Sequence, residues 1–424
     1  MARLIGVRHQ LKLTEENEMR PTQLHIVEGD QVRKMDLETD DDELDFVKGR
    51  LPVVYREPVV DEDLTQFDSH RIAWRDIKEG EEFPANLTRL FKEKGKKARK
   101  QVAIKVPAEY DWFKAGDKVC MLMGGSGDDF AYALSRRGEE IGAEVYRISP
   151  RHLKDLRKER SKDEDAELLV QAFLSDPGLF YFTGPRDRKM IAVREAFRAR
   201  QQAMRDRIVC GQRLRQIVKG RAMRTEDGPY PEGAIEEQYE LAQANDELMQ
   251  SLILKEKQRV KELESALEVL PIYSQILAEV DGVGPMTAAR IVSAIYDIRR
   301  FPSRAGFEYF CGVATDKELK FLRRRRGQVS NWHPDCRQSL YLLGDIFNKN
   351  PDTFWGQKLR EIKAKLQEAH PEVVEVDKVK RYTKGHIQKM ALWKTRNRFA
   401  RWVWSAWWKH EREQGKAQPT QQVA

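Results

Sequence analysis

Short apolar runs with alternating character open the chain and predict strands at residues 3–7, 23–27 and 31–37. From about 50 to 115 the pattern resists assignment. Pro52, Pro58 and Pro84 interrupt it, and the basic block 92–100 (KEKGKKARK) fits an exposed loop or helix end. This stretch reads as an insertion whose role is open, RNA contact being one option. Residues 119–123 (VCMLM) have the continuous apolar character of a buried strand, and Gly124-Gly125-Ser126-Gly127 then turns into a helix over 128–140. Residues 144–148 (EVYRI) form the next strand, closed by Ser149-Pro150, with helices at about 151–160 and 163–175. Strand–helix–strand–helix order predicts a parallel α/β portion.

From about 186 to 270 the period changes to that of a helix, with Val193, Phe197, Met204, Ile208 and Val218 on one run and Leu241, Leu248, Leu252, Leu263 and Leu267 on another. The break at 226–231 (EDGPYP) joins two helices of coiled-coil length. An intramolecular hairpin and an oligomer arm fit this pattern equally. Either makes the segment a spacer or assembly element.

The stretch 276–310 organises the rest. An amphipathic helix breaks at Asp281-Gly282-Val283-Gly284-Pro285, and a second helix begins with Thr287 as its candidate cap and Ala288, Ile291, Val292 and Ile295 on one face. This is the layout of a helix-hairpin-helix, whose glycines let backbone approach a phosphate while free N–H groups point at it. A plain helix–helix turn is the competing account. Arg299 and Arg300 follow closely, and Arg323, Arg324, Arg325 and Arg326 form an unbroken basic run, which favours nucleic acid. Near the end, Trp393, Trp402, Trp404, Trp407 and Trp408 mix with basic residues including Lys394, Arg396 and Arg398. Tryptophans at helical spacing pack on a core more often than they stack on bases. Residues 413–424 read as a disordered tail.

A chain of 424 residues with 40% hydrophobic content has material for several domains. Its net charge of +8 is unevenly spread: residues 36–45 are acidic, whereas 378–412 carry many lysines and arginines against the single acid Glu411. A polyanionic partner follows for that end. Cys120, Cys210, Cys311 and Cys336 form no CxxC pair, and no apolar run reaches the ~20 residues of a membrane span, so the chain reads as soluble, reduced and intracellular. His333 and Cys336 have ligand-like spacing, but one pair is more simply packing than zinc. The glycine turn at 124–127 lacks the lysine of a P-loop.

The segment 280–313 (VDGVGPMTAARIVSAIYDIRRFPSRAGFEYFCGV), with Gly327-Gln328-Val329-Ser330, SLYLLGD at 339–345 and HIQKMALWKTRNRF at 386–399, resembles the "IS one-ten" (Piv-like) insertion-sequence transposases, the bridge-RNA-guided recombinases. That resemblance implies a RuvC-like (RNase H-like) α/β domain over 1–185 with an insertion at about 50–115, a helical hairpin or coiled coil over 186–270, and a mostly helical transposase domain with its helix-hairpin-helix over 271–412. It also implies a prokaryotic, nucleoid-associated protein that binds DNA and a structured guide RNA as a homodimer or homotetramer.

Four carboxylates in the family's first domain hold divalent metal, and a serine in its last domain attacks the phosphodiester. Residue by residue, the carry-over is poor. Arg8 stands where the "IGVD" strand ends in aspartate, and Gly124 where "MEATG" supplies glutamate. In the "KTDxxDA" pattern Lys162 falls on the first aspartate and Asp165 on the second, with Asp163 available by a one-residue slip. Lys320 occupies the serine position. Asp165 is the one clear survivor. Cations at two metal-ligand positions oppose magnesium binding, and Arg8 and Lys162 are expected to pair with Asp165 instead. Weak substitutes for metal ligands are Asp128 and Asp163, with Asp129 and Glu164 nearby and Ser126, Thr315 or Ser330 as alternative nucleophiles. The sequence therefore supports a transposase relative that binds nucleic acid under RNA guidance with its chemistry largely lost and no cofactor. The alternative is an active recombinase using Mg2+ and a serine.

Overall fold

The computed structural model describes residues 2–9, 20–92, 94, 97–224, 232–315, 332–376 and 379–417. Two compact units make up the chain, Met1–Arg188 and Lys189–Ala424.

The first unit contains strands β1 (Leu4–Arg8), β2 (Thr22–Glu28) and β3 (Gln31–Leu37), then helix α1 (Asp40–Lys48). Strands β4 (Leu51–Arg56), β5 (Ala73–Asp76), β6 (Thr88–Phe91) and β7 (Arg99–Asp111) come next, followed by β8 (Lys118–Leu122), α2 (Asp128–Ile141), β9 (Glu144–Ile148), α3 (Pro150–Arg157), α4 (Asp165–Ser175) and β10 (Phe180–Phe182). One six-stranded sheet has the order β10-β9-β8-β1-β2-β3. Its β1–β8 and β8–β9 pairs are parallel; the others are antiparallel.

Alternation along β8 explains the layering. Val119 and Met121 join Ile5, Val7, Phe130 and Leu134 on one face, while Cys120 joins Ile148, Leu169 and Phe180 on the other. Helices therefore cover both sides. Gly6 is needed where α4 crosses β1, because a Cβ there would lie 1.9 Å from the Ala166 carbonyl oxygen.

The region from 50 to 115, which the sequence pattern leaves unassigned, is a second sheet in which β7 pairs with β4, β5 and β6. The acidic run after β3 is helical: Thr39 and Asp42 form a capping box, and the acids of the first turn face the positive end of the helix dipole.

The second unit is helical, with α5 (Pro185–Met223, beginning just before the boundary), α6 (Ile235–Asn245), α7 (Glu247–Glu268), α8 (Pro285–Ile295) and α9 (Arg304–Phe310). Then come α10 (Pro334–Lys349), α11 (Phe354–Ala369), the hairpin β11 (Val374–Val376) and β12 (Val379–Arg381), and α12 (Lys384–Ala417). The predicted second long helix is divided at Asp246, whose carboxylate accepts from Met249 N at 2.7 Å and starts α7. Arg200 reaches Glu256 at 3.2 Å from α5 to α7, and Arg207 reaches the same carboxylate at 2.5 Å. The predicted turn at 226–231 lies outside the described residues.

Tryptophans of α12 serve packing. Trp407 is buried, and the indole N–H groups of Trp404 and Trp408 both donate to the Phe301 carbonyl, at 2.9 and 3.0 Å.

Candidate active site and nucleic-acid surface

The carboxyl ends of β1 and β8 and the start of α3 surround a cavity of about 470 Å³ in the first unit. Arg8 leaves the end of β1, Gly124 the end of β8, Lys162 the single 3-10 turn before α4, and Asp165 the first position of α4. All four line this cavity, together with His9, Ser126, Lys154 and Arg157. The crevice outside the carboxyl ends of parallel strands is the place where open α/β sheets bind ligands. The four positions matched to the metal-binding acids thus converge, although only one is acidic.

Asp165 is not paired with Arg8 or Lys162 as expected. Both its oxygens are held by Arg157, with Nε and Nη2 each at 2.6 Å. Arg8 instead donates to Gln23 Oε1 at 2.6 Å and reaches Asp163 Oδ1 at 2.6 Å. The reason is local: α3 and α4 pack together, so Arg157 at the end of one helix faces the first turn of the next. Asp163, 74% exposed on its side chain, grips Arg8 from outside the cavity. The Ser161 hydroxyl and the Arg8 charge hold the Asp163 carboxyl below its ordinary range. His9 bridges Ser126 Oγ at 2.9 Å and Glu43 at 3.2 Å. Neither Lys154 nor Arg157 was singled out by sequence; a basic residue eight positions before Asp165 was the available signal.

These residues do not fit a magnesium ion. The cavity lining sets Arg8, Lys154, Arg157 and Lys162 against Asp165 alone, whereas Mg2+ needs carboxylate oxygen. Asp128 is buried in an ion pair with Arg147 at 3.1 Å and does not line the cavity. Among the described residues no group of three or more His, Cys, Asp or Glu side chains is placed to hold a metal.

In the second unit, the helix expected to lead into the glycine turn is only a π-helical turn, Tyr273–Leu277. Gly282 has φ +88°, and a Cβ on it would meet Ile346 Cγ2 at 2.5 Å. Gly284 is the N-cap of α8, with Pro285 at the first helical position. Thr287 therefore sits inside the first turn and does not cap. Space beside Gly284 is open: a Cβ there would meet nothing within 4 Å.

The predicted phosphate contacts divide by exposure. Lys394 and Arg398 lie exposed on α12. Arg396 is buried, donating to the Tyr341 carbonyl and to Asp345, each at 3.1 Å, across Gly344. Its guanidinium joins α12 to α10 and is unavailable to a phosphate. Arg299 is bound to buried Asp297 at 2.7 Å, and Arg300 donates to the Ile295 carbonyl at 2.9 Å. Lys320 and Arg323, Arg324, Arg325 and Arg326 lie outside the described residues. The His333 ring lies tilted against Phe310, with ring centroids 5.5 Å apart, and burial lowers its pKa, while Cys336 Sγ meets Cys311 Sγ at 3.4 Å. Packing accounts for both.

Residues 274–343, from the π-helical turn through α8 and α9 into α10, match the family model described as the transposase IS116/IS110/IS902 family. By that match the chain is similar to the transposases of this family over residues 274–343. No curated protein matches it. The matched segment ends within α10, so α12 lies beyond it, although buried Asn397 of α12 donates to Glu308 at 3.0 Å and to the Val313 carbonyl at 3.2 Å within that segment. Asn397, like Arg401 beside it on Glu308 at 2.6 Å, was missed as a structural residue. Among the described residues no helix is long and apolar enough to cross a membrane.

Proposed function

We propose that this protein is a DNA- and RNA-binding relative of the insertion-sequence transposases whose metal-dependent chemistry has been lost. The observation that carries the proposal is the pairing of Asp165 with Arg157 in a cavity otherwise lined by cations. Three antiparallel strands followed by two parallel ones, in the order β3-β2-β1-β8-β9, support a RuvC-like first domain. In an active relative acids at the ends of β1 and β8 would bind metal. Here Arg8 and Gly124 stand there, and no step through a metal follows.

The exposed positions suited to phosphate are Gly284, Lys394 and Arg398, to which the basic run 323–326 is added from the sequence. Such contacts position a strand without reading it. Guide RNA, a dimeric or tetrameric assembly through α5 and α7, and a place on the prokaryotic nucleoid complete the proposal.

The test is to purify the protein from its host, sequence the nucleic acid that accompanies it, and assay strand cleavage with that RNA and magnesium. A single structured RNA without cleavage is expected. Magnesium-dependent cleavage, abolished by Asp165→Asn, would restore the recombinase reading.

A further inference from the structure

The cavity that fails as a metal site has the makings of an anion site. We propose that it binds the terminal phosphate of a nucleic-acid strand directly, without metal, through Lys154 and Lys162. This rests on the metal-free account of the cavity given above.

Three observations converge. First, the lining is cationic, and the fixed ion pairs leave specific charges over. Arg157 is neutralised by Asp165 and Arg8 by Asp163, whereas Lys154 and Lys162 have no ion-pair partner among the described residues. Two free ammonium groups match a phosphomonoester, whose charge approaches about −2 at neutral pH. An internal phosphodiester, with one charge, would leave one lysine unmatched.

Second, the glycine turn that lines the same cavity suits phosphate oxygens. Gly124 and Gly125 have φ +83° and +88°, and nothing lies within 4 Å of the Cβ position of Gly125. Backbone in this conformation lets an oxygen approach closely. Ser126 adds a hydroxyl held in place by His9 at 2.9 Å.

Third, the approach favours a strand over a free ion. Helix α3, whose Lys154 and Arg157 line the cavity, and its following turn also expose Arg151, Lys158 and Arg160. A polyanion continuing from the bound phosphate would meet this run.

The experiment compares binding of a short 5′-phosphorylated oligonucleotide, the same oligonucleotide without phosphate, and inorganic phosphate to the full-length protein, with EDTA or magnesium. In EDTA the phosphorylated strand should bind about tenfold tighter than its unphosphorylated twin, as expected for charge-assisted contacts. Lys154→Ala/Lys162→Ala should erase that difference and leave the melting temperature unchanged. Lys154→Arg/Lys162→Arg should retain it. Equal binding of the two strands, or no preference over inorganic phosphate, would overturn the proposal while leaving the loss of metal chemistry intact. A preference that appears only with magnesium would overturn both.

Discussion

Arg157 and Asp165 meet side-on, Nε and Nη2 on the two carboxylate oxygens at 2.6 Å each, with side chains 16% and 11% exposed. A bidentate pair of this kind is geometrically specific, and it occupies both oxygens of the one acid that lines the cavity. Removing one partner strands a partly buried charge. Arg157→Ala is expected to lower unfolding free energy by about 2 kcal/mol, somewhat less than for a fully buried pair. Asp165→Asn should cost a similar amount. The double variant should lose less than the sum, because each single change removes the same interaction. Urea unfolding of the three variants gives the coupling; strict additivity would mean the pair contributes nothing.

Metal binding offers an independent check. A ligand that binds only the folded state raises the melting temperature with its concentration. Since the cavity sets four cations against Asp165, magnesium is expected to leave the melting curve where salt of equal ionic strength leaves it. A saturable rise specific to magnesium, absent in Asp165→Asn, would refute this.

Acid sensitivity of the first unit should trace to Asp111. Its side chain is 6% exposed and lies between Arg3 at 2.9 Å and Arg33. Burial opposes its ionisation, but hydrogen bonds from Arg33, Arg3 and the Trp112 N–H outweigh it and bring the pKa from 3.8 to about 2. The folded pKa is thus below the unfolded one. The stabilisation is complete above the unfolded value and is lost as pH falls towards the folded one. At about 1.4 kcal/mol per pKa unit it amounts to roughly 2 kcal/mol. Asp111→Asn should lower stability at neutral pH and flatten its fall between about pH 4 and 2. Curves of wild type and variant that run parallel through that window would exclude Asp111 as the source.

Which features were legible in the sequence follows from where their determinants lie. Strands β1, β2, β3, β8 and β9 and helix α2 were readable because turn residues and apolar period mark them locally. Helix α1 was hidden because its buried surface includes Glu43 and Asp45, which read as solvated acid. Glu43 accepts from Thr22 at 2.6 Å and Asp45 from Arg71 at 2.8 Å, partners far away in sequence. The insertion was hidden for a related reason: β7 buries residues in pairs, Val102 with Ala103 and Val106 with Pro107, so no alternation appears. Sequence matching grouped Arg8, Gly124, Lys162 and Asp165, which line one cavity. It did not reveal which cation holds Asp165, since that depends on how α3 turns into α4.

The glycine turn before α8 separates a packing role from a binding role within three residues. Gly282 combines φ +88° with a Cβ position 2.5 Å from Ile346 Cγ2. Gly282→Ala therefore carries both the left-handed penalty, roughly 1–2 kcal/mol, and a clash with α10, and should visibly destabilise the fold. Gly284 has φ −72° and open space around it. Gly284→Ala should cost no more than about 1 kcal/mol, the difference between glycine and alanine at an N-cap. If backbone at Gly284 lies against a phosphate, the added methyl will weaken DNA binding well beyond that small loss, and the weakening will persist at temperatures where the variant is fully folded. Unfolding curves and DNA titrations on both variants distinguish the accounts. Unchanged DNA affinity in Gly284→Ala would leave the turn a helix connector, and the DNA contacts would have to be sought at Lys394, Arg398 and the basic run 323–326.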